Sequence, residues 1–134
     1  MPTDRSALIG DLEAATAGLL FTSETDAPFA IVDAPGVSTL DDEQARKLAG
    51  RPSTDPVETV SVEYFFRNAV LDQDWHSPAE KAAAKRSREL VSLIESAIPG
   101  ARVFRVGARR ISVLIVGTGP GGGVLGLSTT VVET

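Results

Sequence analysis

Two short stretches carry oxygen chemistry out of proportion to the rest of the chain. Glu24 lies within Thr22-Ser23-Glu24-Thr25-Asp26, where every side chain ends in a hydroxyl or carboxylate oxygen. A run of this kind is either a solvated loop or a set of acceptors offered to a cationic partner. The second stretch is Val131-Val132-Glu133-Thr134, in which an apolar pair delivers a side-chain carboxylate, a hydroxyl and the terminal α-carboxylate to one spot. Chain ends usually fray. The apolar pair predicts that this one is held down.

Other reactive-looking features have plainer readings. Trp75-His76 stands between Asp72-Gln73-Asp74 and Ser77. A single His beside a Trp fits a surface residue at a helix start better than a general base, because nothing nearby in sequence would orient it as a triad does. The Trp itself has two readings, an interface anchor or a core or helix-cap residue. Ser61, Ser77 and Ser128 lack a nucleophile elbow. Gly117-Thr118-Gly119-Pro120-Gly121-Gly122-Gly123 imitates a phosphate-binding loop, but it falls between two strand-like runs, with no Lys-Ser/Thr closing it and no helix following. It is expected to be a hairpin loop. These residues do not assemble a catalytic machine, and the protein is expected not to be an enzyme.

The elements that must position these groups are legible in part. Leu8, Leu12, Ala15 and Leu19 recur at helical spacing behind Thr3 and Asp4, which predicts a helix ending near Gly18, with Gly10 weakening its middle. Residues 22–26 follow as a polar loop. Phe29 to Val32 reads as a strand closed by Pro35-Gly36, and Leu40, Ala45 and Leu48 behind Asp41-Asp42-Glu43 as a short helix. Val57 to Val60 predicts another strand, and Val62, Phe65, Phe66 and Ala69 after Ser61 a two-turn helix burying both phenylalanines. Ser77-Pro78-Ala79-Glu80 is a capping-box start for a helix running to Pro99-Gly100, with Ala79, Ala83, Leu90, Ile94 and Ala97 on its buried stripe. From Val103 the period changes to two. Val103–Val106, Ile111–Val116 and Leu125–Val132 are joined by short connections and so should pair antiparallel. The middle run is apolar on both faces and needs cover on both sides. The expected fold is α+β, a three-layer α/β/α sandwich around a largely antiparallel sheet, with two layers as the alternative.

Composition narrows the function further. The chain has 134 residues, with 13 Lys and Arg against 18 Asp and Glu, a formal net charge of −5. One domain over residues 1–134 is expected from that length. The acidic balance argues against direct binding to nucleic acid, whose affinity comes from cations on the protein, and favours a cationic partner. With no Cys and one His, disulfides, thiolate chemistry and zinc-thiolate sites are excluded. No run has the pattern of a signal peptide or the length of a bilayer span, which predicts a cytoplasmic protein without membrane contact.

Several motifs together resemble the nuclease A inhibitor family. They are Gly18-Leu19-Leu20-Phe21-Thr22-Ser23-Glu24 followed by Pro28-Phe29, Phe65-Phe66, Asp74-Trp75, Val103-Phe104-Arg105-Val106-Gly107, Val116-Gly117, and the ending Gly126-Leu127-Ser128-Thr129-Thr130-Val131-Val132-Glu133-Thr134. The resemblance runs from about Leu8 to the last residue. It implies a small α/β/α sandwich that binds a sugar-non-specific endonuclease of the ββα-metal type and blocks its active site. It further implies that Glu24 and Thr134 enter that site, Thr134 beside the catalytic divalent metal, and that Asp74 and Trp75 belong to the contact surface. The protein would then need no cofactor of its own, the metal, magnesium by expectation, being part of the partner. A monomer forming a 1:1 complex is expected. The alternative is a non-enzymatic protein-interaction module of the same fold with a different partner.

Overall fold

The structure is a computed structural model that describes residues 4–133. Asp4 lies in extended backbone and its carboxylate accepts the amide of Ala7, starting helix α1 over Arg5–Thr16. Leu8 and Leu12 are wholly buried along it, and Gly10 sits mid-helix with open space where a Cβ would go. Leu19, expected on the same stripe, lies beyond the helix; the chain turns at Gly18 (φ 72°) and buries Leu19 from the turn instead. Strands β1 (Leu20–Thr22) and β2 (Asp26–Pro28) then pair antiparallel, with Thr22 opposite Asp26. The polar stretch is therefore not all loop: only 23–25 forms the tip. Strand β3 is Ala30–Ala34 and helix α2 is Asp42–Ala49, capped by Asp41. After β4 (Val57–Ser61), α3 is a single turn, Val62–Phe65, rather than two. Phe66 takes φ −90°, ψ 5° and ends it, yet both phenylalanines are buried as expected.

Helix α4, Pro78–Ala97, opens with the full capping box: Ser77 accepts from the Glu80 amide, and Glu80 accepts from the Ser77 amide. Its buried residues are Ala84, Ser87, Leu90 and Ile94. Ala79 and Ala83, expected on this stripe, are exposed: Ala83 lines a cavity, and Ala79 lies in the first turn of the helix. Buried Ser87 satisfies its hydroxyl by donating to the Ala83 carbonyl at 2.9 Å. Arg86 reaches from α4 to the Ala15 carbonyl at 2.9 Å, placing a cation at the carbonyl end of α1.

Strands β5 (Arg102–Val106), β6 (Arg110–Thr118) and β7 (Val124–Val132) complete the chain, and the main sheet has the order β3-β7-β6-β5-β4. Every neighbouring pair is antiparallel. Successive strand residues face opposite sides, and β6 uses both. Ile111, Val113 and Ile115 pack in one apolar cluster with Leu8, Leu12, Leu90 and Ile94. Leu114 and Val116 pack in a second with Phe104 and Ala45. Thus α1 and α4 cover one face and α2 the other, which is the arrangement a three-layer sandwich requires. The fold is α+β. Gly126 allows the central pair to close, since a Cβ there would land on the Ile115 carbonyl.

Candidate functional site

The two oxygen-rich stretches meet. At the tip of the β1–β2 hairpin, the Ser23 amide donates to the Thr25 carbonyl at 2.9 Å, which makes the turn tight. The Ser23 hydroxyl faces β7 and accepts the Val132 amide at 3.0 Å. Next to it, the Glu24 amide donates to the Val132 carbonyl at 3.4 Å. The hairpin tip is thus fastened to the end of β7 by backbone-directed bonds, leaving the Glu24 side chain exposed. Glu133 follows: its amide donates to the Arg109 carbonyl at 2.8 Å, and its carboxylate accepts from Arg105 at 2.7 Å. The same guanidinium holds Glu58 at 2.7 Å. Thr134 lies outside the described residues.

Asp74 and Trp75 occupy the segment leading into α4, and both are exposed. Trp75 is 78% exposed, so the reading as a core or helix-cap residue fails; Ser77 does the capping. Its ring meets His76 edge-on at 4.3 Å. His76 is committed to the loop, with Nδ1 accepting the Gln73 amide at 3.1 Å while its own amide donates to the Gln73 carbonyl at 3.0 Å. This is the surface histidine at a helix start that the sequence predicts.

A cavity of about 510 Å³ joins these parts. Ser23, Glu133 and His76 line it, and each is the immediate neighbour of a candidate site residue: Glu24, Thr134 and Trp75 respectively. Leu20, Tyr64 and Leu71 also line it. With Trp75, these three are the exposed large hydrophobics among the described residues. Apolar side chains gathered around one opening, with a polar rim, mark a binding surface. Glu80 contributes a charge to the wall: the Ser77 amide donates to it, the Ser77 hydroxyl adds to the effect, and its carboxyl is held below the ordinary value of 4.5.

Sequence reasoning named Ser23 only as one of the oxygens around Glu24, not as the acceptor that holds Val132, and it missed Arg105, Tyr64 and Leu71. For Arg105 there was a signal, a charge on the strand face that carries Val103. The glycine-rich loop, by contrast, matches its expected role. Arg5 donates to the carbonyls of Gly122 at 2.7 Å and Val124 at 2.6 Å, and to Asp33 at 2.8 Å. A loop that turns carbonyl oxygens toward a cation has the wrong polarity for a phosphate cradle. Among the described residues no three His, Asp or Glu side chains gather as they would around a metal ion. The arrangement gathers carboxylates and apolar side chains around one opening, with Arg67 and Arg105 also on its wall.

A family model described as nuclease A inhibitor-like protein matches residues 6–134. The chain belongs to the nuclease A inhibitor-like family. No curated protein matches it. The family match runs from the first turn of α1 through β7, so both stretches that meet at the hairpin tip lie within it. Among the described residues of this inhibitor-like protein, no helix is long and apolar enough to cross a membrane.

Proposed function

We propose that the protein inhibits a sugar-non-specific, metal-dependent endonuclease of the ββα-metal type by occupying its active site with Glu24 and Thr134. Asp74 and Trp75 make contacts beside that site. The observation that carries this reading is the fastening of the Glu24 tip to Val132, which puts a carboxylate and the approach to Thr134 on one edge. A nuclease site is built to hold a phosphodiester with cations and a hard divalent metal, which prefers oxygen ligands. Carboxylate and hydroxyl oxygens displace the substrate by imitating its phosphate. The metal is supplied by the partner, and the protein acts as a binder rather than a catalyst. Trp75, exposed and flanked by Asp74, has the area and the single donor that favour tryptophan at interface hot spots.

Thr134 gives the sharpest test. If its oxygens enter a closed active site, residues added after it must thread into space already filled. A short peptide fused after Thr134 is expected to abolish or strongly weaken inhibition, while the same peptide before Met1 leaves it intact. Deleting Thr134 is expected to weaken inhibition without unfolding the domain, since one terminal residue adds little to a core. DNA degradation by ββα-metal nucleases with saturating divalent metal reads inhibition, and circular dichroism reads the fold. Full inhibition by the chain extended after Thr134 would sink the insertion model. Absence of inhibition by the unmodified protein, against every such nuclease tried, would transfer the surface to a different partner.

A further inference from the structure

The segment that leads to Thr134 is gripped from two sides. Ser23 holds the Val132 amide, as described, and Arg105 holds the Glu133 carboxylate. Arg105 is unusual for its place. It projects from β5 on the face that carries buried Val103, and only 19% of its side chain is exposed. Its two terminal nitrogens divide the work, Nη1 to Glu58 at 2.7 Å and Nη2 to Glu133 at 2.7 Å. Glu58 is its register partner across the β4–β5 ladder, so that bond is a local cross-strand pair. Glu133 is no neighbour: β6 lies between β5 and β7, and the Arg105–Glu133 pair spans it. Both carboxylates remain more than half exposed, at 62% and 55%. Pairs this exposed add little to folding. What the longer one does is restrict the Glu133 side chain, whose backbone is held by the amide bond to Arg109.

We infer that Arg105 is a positioning residue for the inhibitory end of the chain, holding Glu133 so that the segment entering the nuclease is ordered before the partner arrives. The inference rests on the proposed role of Thr134. Ordering a segment during binding is subtracted from the affinity, and ordering it beforehand removes that loss. The planar guanidinium suits the task because its fork serves two carboxylates at once, whereas a lysine ammonium is a point charge on a flexible stem. Glu58 fixes the plane of the fork, and the second arm is thereby aimed at Glu133.

The test pairs Arg105→Met, which keeps an apolar stem and removes the fork, with deletion of Thr134. In the intact chain Arg105→Met is expected to weaken inhibition about tenfold, the scale of ordering one or two side chains at an interface. In the chain lacking Thr134 the same substitution should cost less than about twofold, because a positioning residue has nothing left to position; such coupling is what a double-mutant cycle isolates. Arg105→Lys should recover part of the loss. An equal loss in both backgrounds would overturn the inference, since Arg105 would then touch the nuclease itself or act through the whole fold. So would unchanged inhibition by Arg105→Met when deletion of Thr134 does weaken it. A second readout needs no nuclease: amide exchange at Glu133 in the free protein should speed up by about tenfold in Arg105→Met, with core amides unaffected. Unchanged exchange at Glu133 would overturn the clamp. If the wild-type protein inhibits nothing, the functional reading fails, and exchange alone still decides whether Arg105 orders Glu133.

Discussion

Glu24 owes its place to the residue before it. Ser23 spends its hydroxyl on the Val132 amide, and the Glu24 backbone follows onto the Val132 carbonyl, so the carboxylate is offered from a pinned turn rather than a loose loop. Glu24→Gln keeps the shape of the side chain and removes its charge. Truncating one partner of a buried interfacial charge pair commonly costs about 2 to 5 kcal/mol, so inhibition is expected to weaken roughly thirtyfold or more. The fold should persist, as read by circular dichroism. Unchanged inhibition by this variant would return Glu24 to a solvated turn with no part in the complex. The acidic oxygens themselves were legible in the sequence by type, because carboxylates and hydroxyls announce their chemistry. Their positioners were not. The Ser23–Val132 bond joins residues 109 apart, and no local pattern reports a bond of that span. Trp75 had two readings of similar standing; its exposure removes the core one, and its part in an interface belongs to the proposal.

At the scale of elements, what was legible followed the strength of the local signal. The α4 start was clear because Ser77, Pro78 and Glu80 each have a separate physical reason to be there. The β1–β2 hairpin was not, since strands of three residues are too short for alternation to show, and exposed Leu20 and Pro28 at their outer positions break the apolar–polar pattern. Helix α3 was overextended by one turn because Val62, Phe65, Phe66 and Ala69 keep helical spacing while the chain leaves the helix at Phe66. On α4 the expected stripe ran too far toward the N-terminus: Ala83 keeps the right phase but faces the cavity. The capping box also ties stability to pH. Glu80 is held below its ordinary value of 4.5 chiefly by the Ser77 amide. A carboxylate lowered on folding stabilises the folded state above its unfolded value, and that contribution is lost as the pH falls through the lowered, folded value. The stability difference between the wild type and Glu80→Gln should therefore be widest above pH 4.5 and shrink in more acidic solution. Urea titrations across that range would show it; a difference that grows toward acid would contradict the assignment of the cause.

For the molecule as a whole, the decisive pattern was one strand. Ile111 to Val116 is apolar on both faces, and the structure places α1 and α4 over one and α2 over the other. A sheet covered on both faces keeps its functional groups at its margins, which is where the hairpin tip and the end of β7 come together. The net charge of −5 then acts at a longer range than any of those contacts. An acidic protein approaching a cationic cleft is steered into productive encounters, and steering raises the association rate more than it raises final affinity. Salt shortens its reach to a Debye length of about 8 to 10 Å near physiological strength. Dissociation depends on short contacts already made, which are screened much less. Measured by stopped flow or surface plasmon resonance against a ββα-metal nuclease, the association rate is expected to fall steeply between low and physiological salt, while the dissociation rate changes little. An association rate independent of salt over that interval would mean that the acidic surface plays no part in finding the partner. If the dissociation rate alone carried the salt dependence, the charges would act as contacts within the complex, and the steering argument would be replaced by one based on exposed pairs at the rim.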